Sequence, residues 1–245
     1  MSSKKPRRTS HVSFNNNQKS LTPPPNKDSI VMYQQLKPRT KNQADFIRIV
    51  SENDITICDS PAGVGKTSLA VGIALEHLRD GKITKIIIVR PTIEASKRGL
   101  GYLKGDLDDK LAPYMIPLFE QIDEYIGKSK REYLVSREII KVESLEFFRG
   151  RNLKNCYLIV DECQNATEKQ LKMVMTRLCE NSKVIILGDT DQTDLPHNEM
   201  GALDKCIDVL DGIDGVGICY MDYSDIQRLP IVKRVLEAFD NYEQL

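Results

Sequence analysis

The stretch that decides the fold is Ile55-Thr56-Ile57-Cys58-Asp59-Ser60-Pro61-Ala62-Gly63-Val64-Gly65-Lys66-Thr67-Ser68. An apolar, β-branched run enters a glycine-rich turn, and Lys66–Arg79 follows with apolar residues at Leu69, Ile73, Leu75 and Leu78. A strand, such a turn and a helix N-terminus together aim backbone N–H groups at an anion. The segment therefore reads as a phosphate-binding loop cradled by Ser60, Pro61, Ala62, Gly63, Val64, Gly65, Lys66, Thr67 and Ser68. Lys66 is placed to reach β- and γ-phosphates, and the Thr67 hydroxyl to bind Mg²⁺. Ser60 stands where the strict pattern has glycine.

Outward from this loop, short apolar runs alternate with helical stretches. The strand-like runs are 55–58, 86–89, 139–142, 157–160, 184–187 and 216–221. Most are apolar on consecutive positions, as strands buried on both faces require. Helices are expected at Lys66–Arg79, at Glu168–Cys179 behind a Thr167-x-x-Gln170 capping box, and near 229–242, where Pro230 sits in the first turn. Strands alternating with helices imply an α/β fold with a parallel sheet.

Two more strand ends carry chemistry. Tyr157-Leu158-Ile159-Val160 runs into Asp161-Glu162. Asp161 suits the Mg²⁺ shell, and Glu162 suits activation of a water for attack on a γ-phosphate. The run 184–187 leads into Gly188-Asp189-Thr190-Asp191-Gln192, where Gln192 can sense the γ-phosphate or position water. Both lie at the edge of an open α/β sheet where ligands bind.

Composition frames the rest. The 35 basic and 35 acidic side chains cancel, but residues 1–41 alone carry nine basic groups and one acid, Asp28. That is +8 on the first 41 residues and −8 on the remainder. With five of the 11 prolines there as well, roughly 1–30 read as a disordered basic arm, and 31–245 as the folded domain. Such an arm can attract a phosphate backbone or simply stay solvated. Six scattered cysteines without C-x-x-C spacing read as reduced thiols of a cytoplasmic chain. No apolar run is long enough for a membrane span.

Together these motifs resemble the PhoH-like (phosphate-starvation-inducible) ATPases, relatives of the superfamily 1 helicase nucleotide-binding domain, over roughly 38–242. The resemblance also rests on Val89-Arg90-Pro91-Thr92, Leu100-Gly101-Tyr102-Leu103-Lys104-Gly105-Asp106, Phe148-Arg149-Gly150-Arg151, Asp161-Glu162-Cys163-Gln164-Asn165 and Asp225-Ile226-Gln227-Arg228. Ser60, Lys104, Asn152 and Cys163 depart from the usual pattern, as does the 96–99 segment, which lacks an acid. The resemblance implies a RecA-like three-layer P-loop core in a single domain, with ATP and Mg²⁺ as cofactors. It implies that Gln43 reads adenine, with a surface helix residue as the alternative. It implies that Arg228 stabilises charge on the transferring phosphoryl group, and that Arg90, Arg149 and Arg151 contact phosphate. With one nucleotide-binding domain, either Arg228 acts across a subunit boundary in a ring-like homo-oligomer, for which the resemblance suggests a hexamer, or the chain hydrolyses ATP slowly alone.

The function so implied is an Mg²⁺-dependent ATPase coupled to remodelling or unwinding of RNA or single-stranded nucleic acid. The cytoplasm is its place, a host's if the chain is phage-encoded. The alternative is a nucleotide-dependent binding or assembly module with negligible turnover. The Asp161-Glu162 pair disfavours a small-molecule kinase, and one acid in residues 1–41 disfavours a metal-dependent nuclease segment there.

Overall fold

A computed structural model describes residues 30–91, 107–148, 150–192, 202–226 and, in part, 231–235; described side chains of the third helix begin at Met115. The basic arm, the 96–104 loop, Arg149 and Arg228 lie outside these residues. So does most of the expected 229–242 helix, which is helical at 231–232 and 234–235.

Six strands form one sheet: β1 (Ile55–Asp59), β2 (Lys85–Arg90), β3 (Ile140–Ser144), β4 (Cys156–Val160), β5 (Lys183–Gly188) and β6 (Val216–Tyr220). Their order is β3-β2-β4-β5-β1-β6, and every neighbouring pair is parallel. β5 is thus inserted between the strand that feeds the phosphate loop and the strand that ends in Asp161-Glu162. This is the RecA-like P-loop core in a single α/β domain.

Successive strand residues serve opposite faces. Ile86, Ile88, Ile159, Ile185 and Leu187 pack beneath α1 (Lys41–Glu52), α2 (Lys66–Arg79), α3 (Leu107–Ile126) and α4 (Lys128–Ser136). Ile57, Ile87, Leu158, Val160 and Ile186 pack against α5 (Glu168–Met175) and α6 (Leu203–Leu210). The three layers follow from this alternation.

The six strands and α2 lie where the sequence puts them. The Thr167–Gln170 capping box forms as expected, but α5 stops at Met175 rather than Cys179. The chain leaves the helix because Leu178 bridges to Leu153, whose N–H donates to Arg177 O at 2.8 Å. Ile30, the first of the described residues, is 4% exposed and belongs to the core.

α1, α3, α4 and α6 were not expected from the sequence. α1 is capped by Thr40, whose hydroxyl accepts from Gln43 N. α3 runs through Pro113 and Pro117, and buries Met115, Leu118, Ile122 and Tyr125 at helical spacing. Among the described residues, no helix is long and apolar enough to cross a membrane. The six cysteines are unpaired, and Cys163 is buried with its thiol pushed well up by burial, as a small core residue.

Candidate nucleotide site

The loop wraps its own lysine. Lys66 is 8% exposed, and its Nζ donates to Ser60 O at 2.8 Å and Pro61 O at 3.3 Å. Left-handed backbone falls on Gly63 (φ 88°) and Gly65 (φ 83°), not on Ser60. The serine therefore needs no glycine freedom, and its N–H ties the loop to Gly188 O at 3.0 Å.

Parallel register brings the strand-end carboxylates beside this loop. Thr67 Oγ1 donates to Asp161 Oδ1 at 2.9 Å. The other oxygen of Asp161 accepts from Arg90 Nη2 at 2.5 Å, because β2 pairs with β4 and ends alongside it. Asp161 is fully buried, and Arg90 also comes within 3.9 Å of Glu162. Glu162 holds a left-handed backbone (φ 58°). Strain of this kind in a non-glycine residue costs on the order of 1–3 kcal/mol and persists where surroundings over-determine it.

Gln164 supplies that determination on the side-chain level. Its Nε2 donates to Glu162 Oε2 at 2.7 Å, and its Oε1 accepts from Asp189 N at 3.2 Å. The amide thus links the ends of β4 and β5 through one buried side chain. Asp189 is itself buried, and its Oδ2 finds no hydrogen-bond partner among the described residues. Burial pushes its carboxyl up, against the pull of nearby Lys66.

These groups surround a cavity of about 470 Å³, walled by Lys66, Thr67, Arg90, Glu162, Asp189 and Gln192. Pro117 and Gln121 of α3 close one side. A smaller cavity of about 180 Å³ adjoins across Gly63, Gly65 and Ser68, and is lined by Gln34, Lys37, Gln43 and Tyr125. Gln43 is no surface residue, being 4% exposed. Its Nε2 donates to Val64 O at 2.9 Å and its Oε1 accepts from Arg39 N at 2.7 Å, so α1 grips the back of the phosphate loop.

The residues present fit Mg²⁺ as a phosphate-bound ion. Among the described residues no cluster of three or more His, Cys, Asp or Glu could hold a metal alone. Mg²⁺ in phosphate sites instead takes one or two protein oxygens and completes its shell from phosphate and water. Thr67 Oγ1 and Asp161 Oδ1, already in contact, are such a pair.

Of the residues singled out in the sequence, the structure brings Lys66, Thr67, Glu162 and Gln192 to one cavity. Asp161 lies just beneath it, and Gln43 and Ser68 stand at the second. Arg151 is turned away onto Glu143. The roles of Gln164 and Asp189 were missed: both sat in recognised motifs, yet their partners lie on a neighbouring strand. Gln121 gave no sequence signal.

Comparison with known proteins identifies the family. The family model described as PhoH-like protein matches residues 35–240. A PhoH-like protein of Synechocystis sp. is 40% identical over 208 residues, 85% of this chain and 63% of that one. Its counterpart in Bacillus subtilis is 40% identical over 205 residues, 84% of this chain and 64% of that one. The chain spans a little under two thirds of the length of these relatives. Among solved structures, the UvsW helicase from bacteriophage T4 is similar over 80% of this chain and 64% of its own, with 13% identity and a TM-score of 0.48. With a family model aligned from just before α1 to near the last residue, this chain belongs to the PhoH-like protein family.

Proposed function

We propose that this chain is an Mg²⁺-dependent ATPase that couples hydrolysis to remodelling of RNA or single-stranded nucleic acid. The observation that carries the reading is the contact of Thr67 with Asp161 at 2.9 Å beside a cavity that Lys66, Glu162 and Gln192 share. Loop, metal-binding oxygens and a carboxylate are what phosphoryl transfer to water needs in one place.

Lys66 would exchange its loop carbonyls for phosphate oxygens. Thr67 and Asp161 would hold Mg²⁺, which when bound spreads the charge building on the β- and γ-phosphates. Glu162 would take a proton from water as its oxygen attacks the γ-phosphorus and the bond to the β-phosphate oxygen breaks, giving ADP and phosphate. Gln192 would orient that water. The adenine would enter the smaller cavity, where Gln43 couples its presence to Val64 of the loop. Arg228 would complete the charge neutralisation from a neighbouring copy in a ring, and the basic arm would tether the polyanion.

A second reading is a nucleotide-dependent binding module, favoured by the way Lys66 is held inside its own loop. Multiple-turnover phosphate release, with and without single-stranded RNA, separates the two. Glu162→Gln should keep nucleotide binding and lose turnover by about 10²–10⁴-fold, whereas Lys66→Ala should weaken binding itself. Wild-type release no faster than that of Glu162→Gln would leave the binding module as the answer. Deletion of residues 1–29, sparing Ile30, should flatten the salt dependence of RNA binding and leave basal turnover intact.

A further inference from the structure

Beside the nucleotide site lies a third cavity, of about 400 Å³, between Tyr33 and the start of α4. Tyr33 is 73% exposed and Tyr133 49%, large exposures for aromatic side chains. Tyr33 lies against Gly127, where a Cβ would come within 2.7 Å of its ring, so the glycine lets the ring settle on the helix end. Lys130 Nζ stands 5.1 Å from the Tyr133 ring centre and the Arg137 guanidinium 5.6 Å.

The helix start here is built against its own dipole. An α-helix N-terminus favours acids and a capping side chain. α4 instead opens Lys128-Ser129-Lys130-Arg131, with no acid in the first turn and no side-chain cap on Gly127. Arg131 is engaged by Asp123 at 2.7 Å, and Lys128 reaches Glu132 only at 4.0 Å. Lys128 remains 73% exposed. Asp123 offsets Arg131, but Lys128 and Lys130 are left at the positive end of the helix with only a 4.0 Å contact to Glu132 and the Tyr133 ring among the described residues. Local rules broken in this way are expected at functional sites. An anion would satisfy the uncapped amides and both lysines together, and flat rings beside it would accept planar groups.

We propose that the Tyr33–Tyr133 slot binds single-stranded nucleic acid, with bases stacked on the two tyrosines and backbone phosphate on Lys128, Lys130 and the first turn of α4. Exposed aromatics interleaved with cations are the chemistry of strand binding without base readout. Residues 1–32, which lead to Tyr33, carry six basic groups and one acid, an excess that draws the same polyanion. The slot also shares a wall with the base cavity. Tyr33 lines one and Gln34 the other; Ile126 lines one and Tyr125 the other. Tyr33 N donates to Tyr125 O at 2.7 Å, so a strand in the slot bears directly on the wall of the nucleotide site.

This rests on the nucleic-acid-coupled reading above and locates its strand. The test uses the full chain and fluorescein-labelled RNA and DNA of one sequence, about 15 nucleotides long, read by anisotropy, with phosphate release and light scattering alongside. Tyr33→Ala/Tyr133→Ala should weaken binding about tenfold or more and abolish strand stimulation, with basal turnover unchanged. Tyr33→Phe/Tyr133→Phe should bind like wild type, since stacking needs no hydroxyl. Lys128→Gln/Lys130→Gln should lower the slope of log affinity against log salt by about 1.4. The parallel titrations assign RNA or DNA to the slot by which one the alanine variant loses. Wild-type affinity in the double alanine variant, or a changed oligomer size in it, overturns the slot while leaving the coupled ATPase standing. A wild-type protein that neither binds nor responds to either strand overturns both.

Discussion

Arg90 and Asp161, 71 positions apart in the chain, meet at 2.5 Å on the one carboxylate oxygen that Thr67 does not use. The carboxylate is thereby fixed at both ends, and its charge is balanced before any metal arrives.

Removing that balance should be costly. Arg90→Ala leaves Asp161 buried with a hydroxyl as its main partner, and losing one member of a buried pair costs about 3–5 kcal/mol. The variant should melt well below wild type. Mg²⁺ with a non-hydrolysable ATP analogue should recover more of the loss than it adds to wild type, since it returns positive charge to the same oxygens. Equal melting temperatures of the free proteins would show that Arg90 carries no such burden.

Gln164 should separate positioning from binding. Gln164→Ala frees Glu162 from the amide that spans to Asp189 and leaves Lys66 and Thr67 untouched. The kcat should fall about tenfold, less than the 10²–10⁴-fold expected on losing Glu162 as the proposed base, with KM for ATP little changed. A KM effect without a kcat effect in steady-state assays would contradict this assignment.

The packing of α2 on α3 is set by Gly72. A Cβ there would stand 2.7 Å from Tyr125 Oη and 2.8 Å from Tyr125 Cζ, both on a rigid, buried ring. Gly72→Ala gains about 1 kcal/mol in helix propensity but overpacks the contact by roughly 1–3 kcal/mol. Denaturant titration should show net destabilisation. Because Tyr125 also walls the smaller cavity, affinity for ATP should drop in the same variant.

One acid-sensitive contact lies on the opposite edge of the sheet. His77 Nδ1 and Tyr157 Oη are 2.6 Å apart, and burial, then Lys82 and Lys183, depress the imidazole from its ordinary 6.5. A base depressed in the folded state binds fewer protons folded than unfolded, so stability rises with pH through this range. The contribution of His77 is therefore present above 6.5 and is lost as pH falls below it. Urea midpoints measured at about pH 7 and about pH 5.5 should differ less in His77→Gln than in wild type.

How much of this was legible depended on how local each cause was. β2, β4 and β5 were readable because Ile86–Val89, Leu158–Val160 and Val184–Leu187 are apolar without interruption. The cradle of Lys66 and Thr67 was readable because strand, turn and helix adjoin in sequence. α1 was overlooked although Thr40 and Gln43 repeat the spacing that announced α5 at Thr167 and Gln170. α3 was hidden by Pro113 and Pro117, whose local cost is overridden by burial of Met115, Leu118 and Ile122. The bridge of Gln164 to Asp189, and that of Arg90 to Asp161, depend on which strands lie side by side. Spacing along the chain does not carry that information.

The insertion of β5 has a further consequence. Two strand spacings of about 4.8 Å separate β1 from β4, so the gap between loop and carboxylates is ruled by backbone hydrogen bonds. Side chains in the loop can drift, as Ser60 has, without altering the gauge. The middle strand ends in Gly188, where a Cβ would run into the Leu203 side chain and stand 3.3 Å from the Gln164 backbone, and then in Asp189, which lines the cavity. The sheet measures its ligand before any side chain touches it.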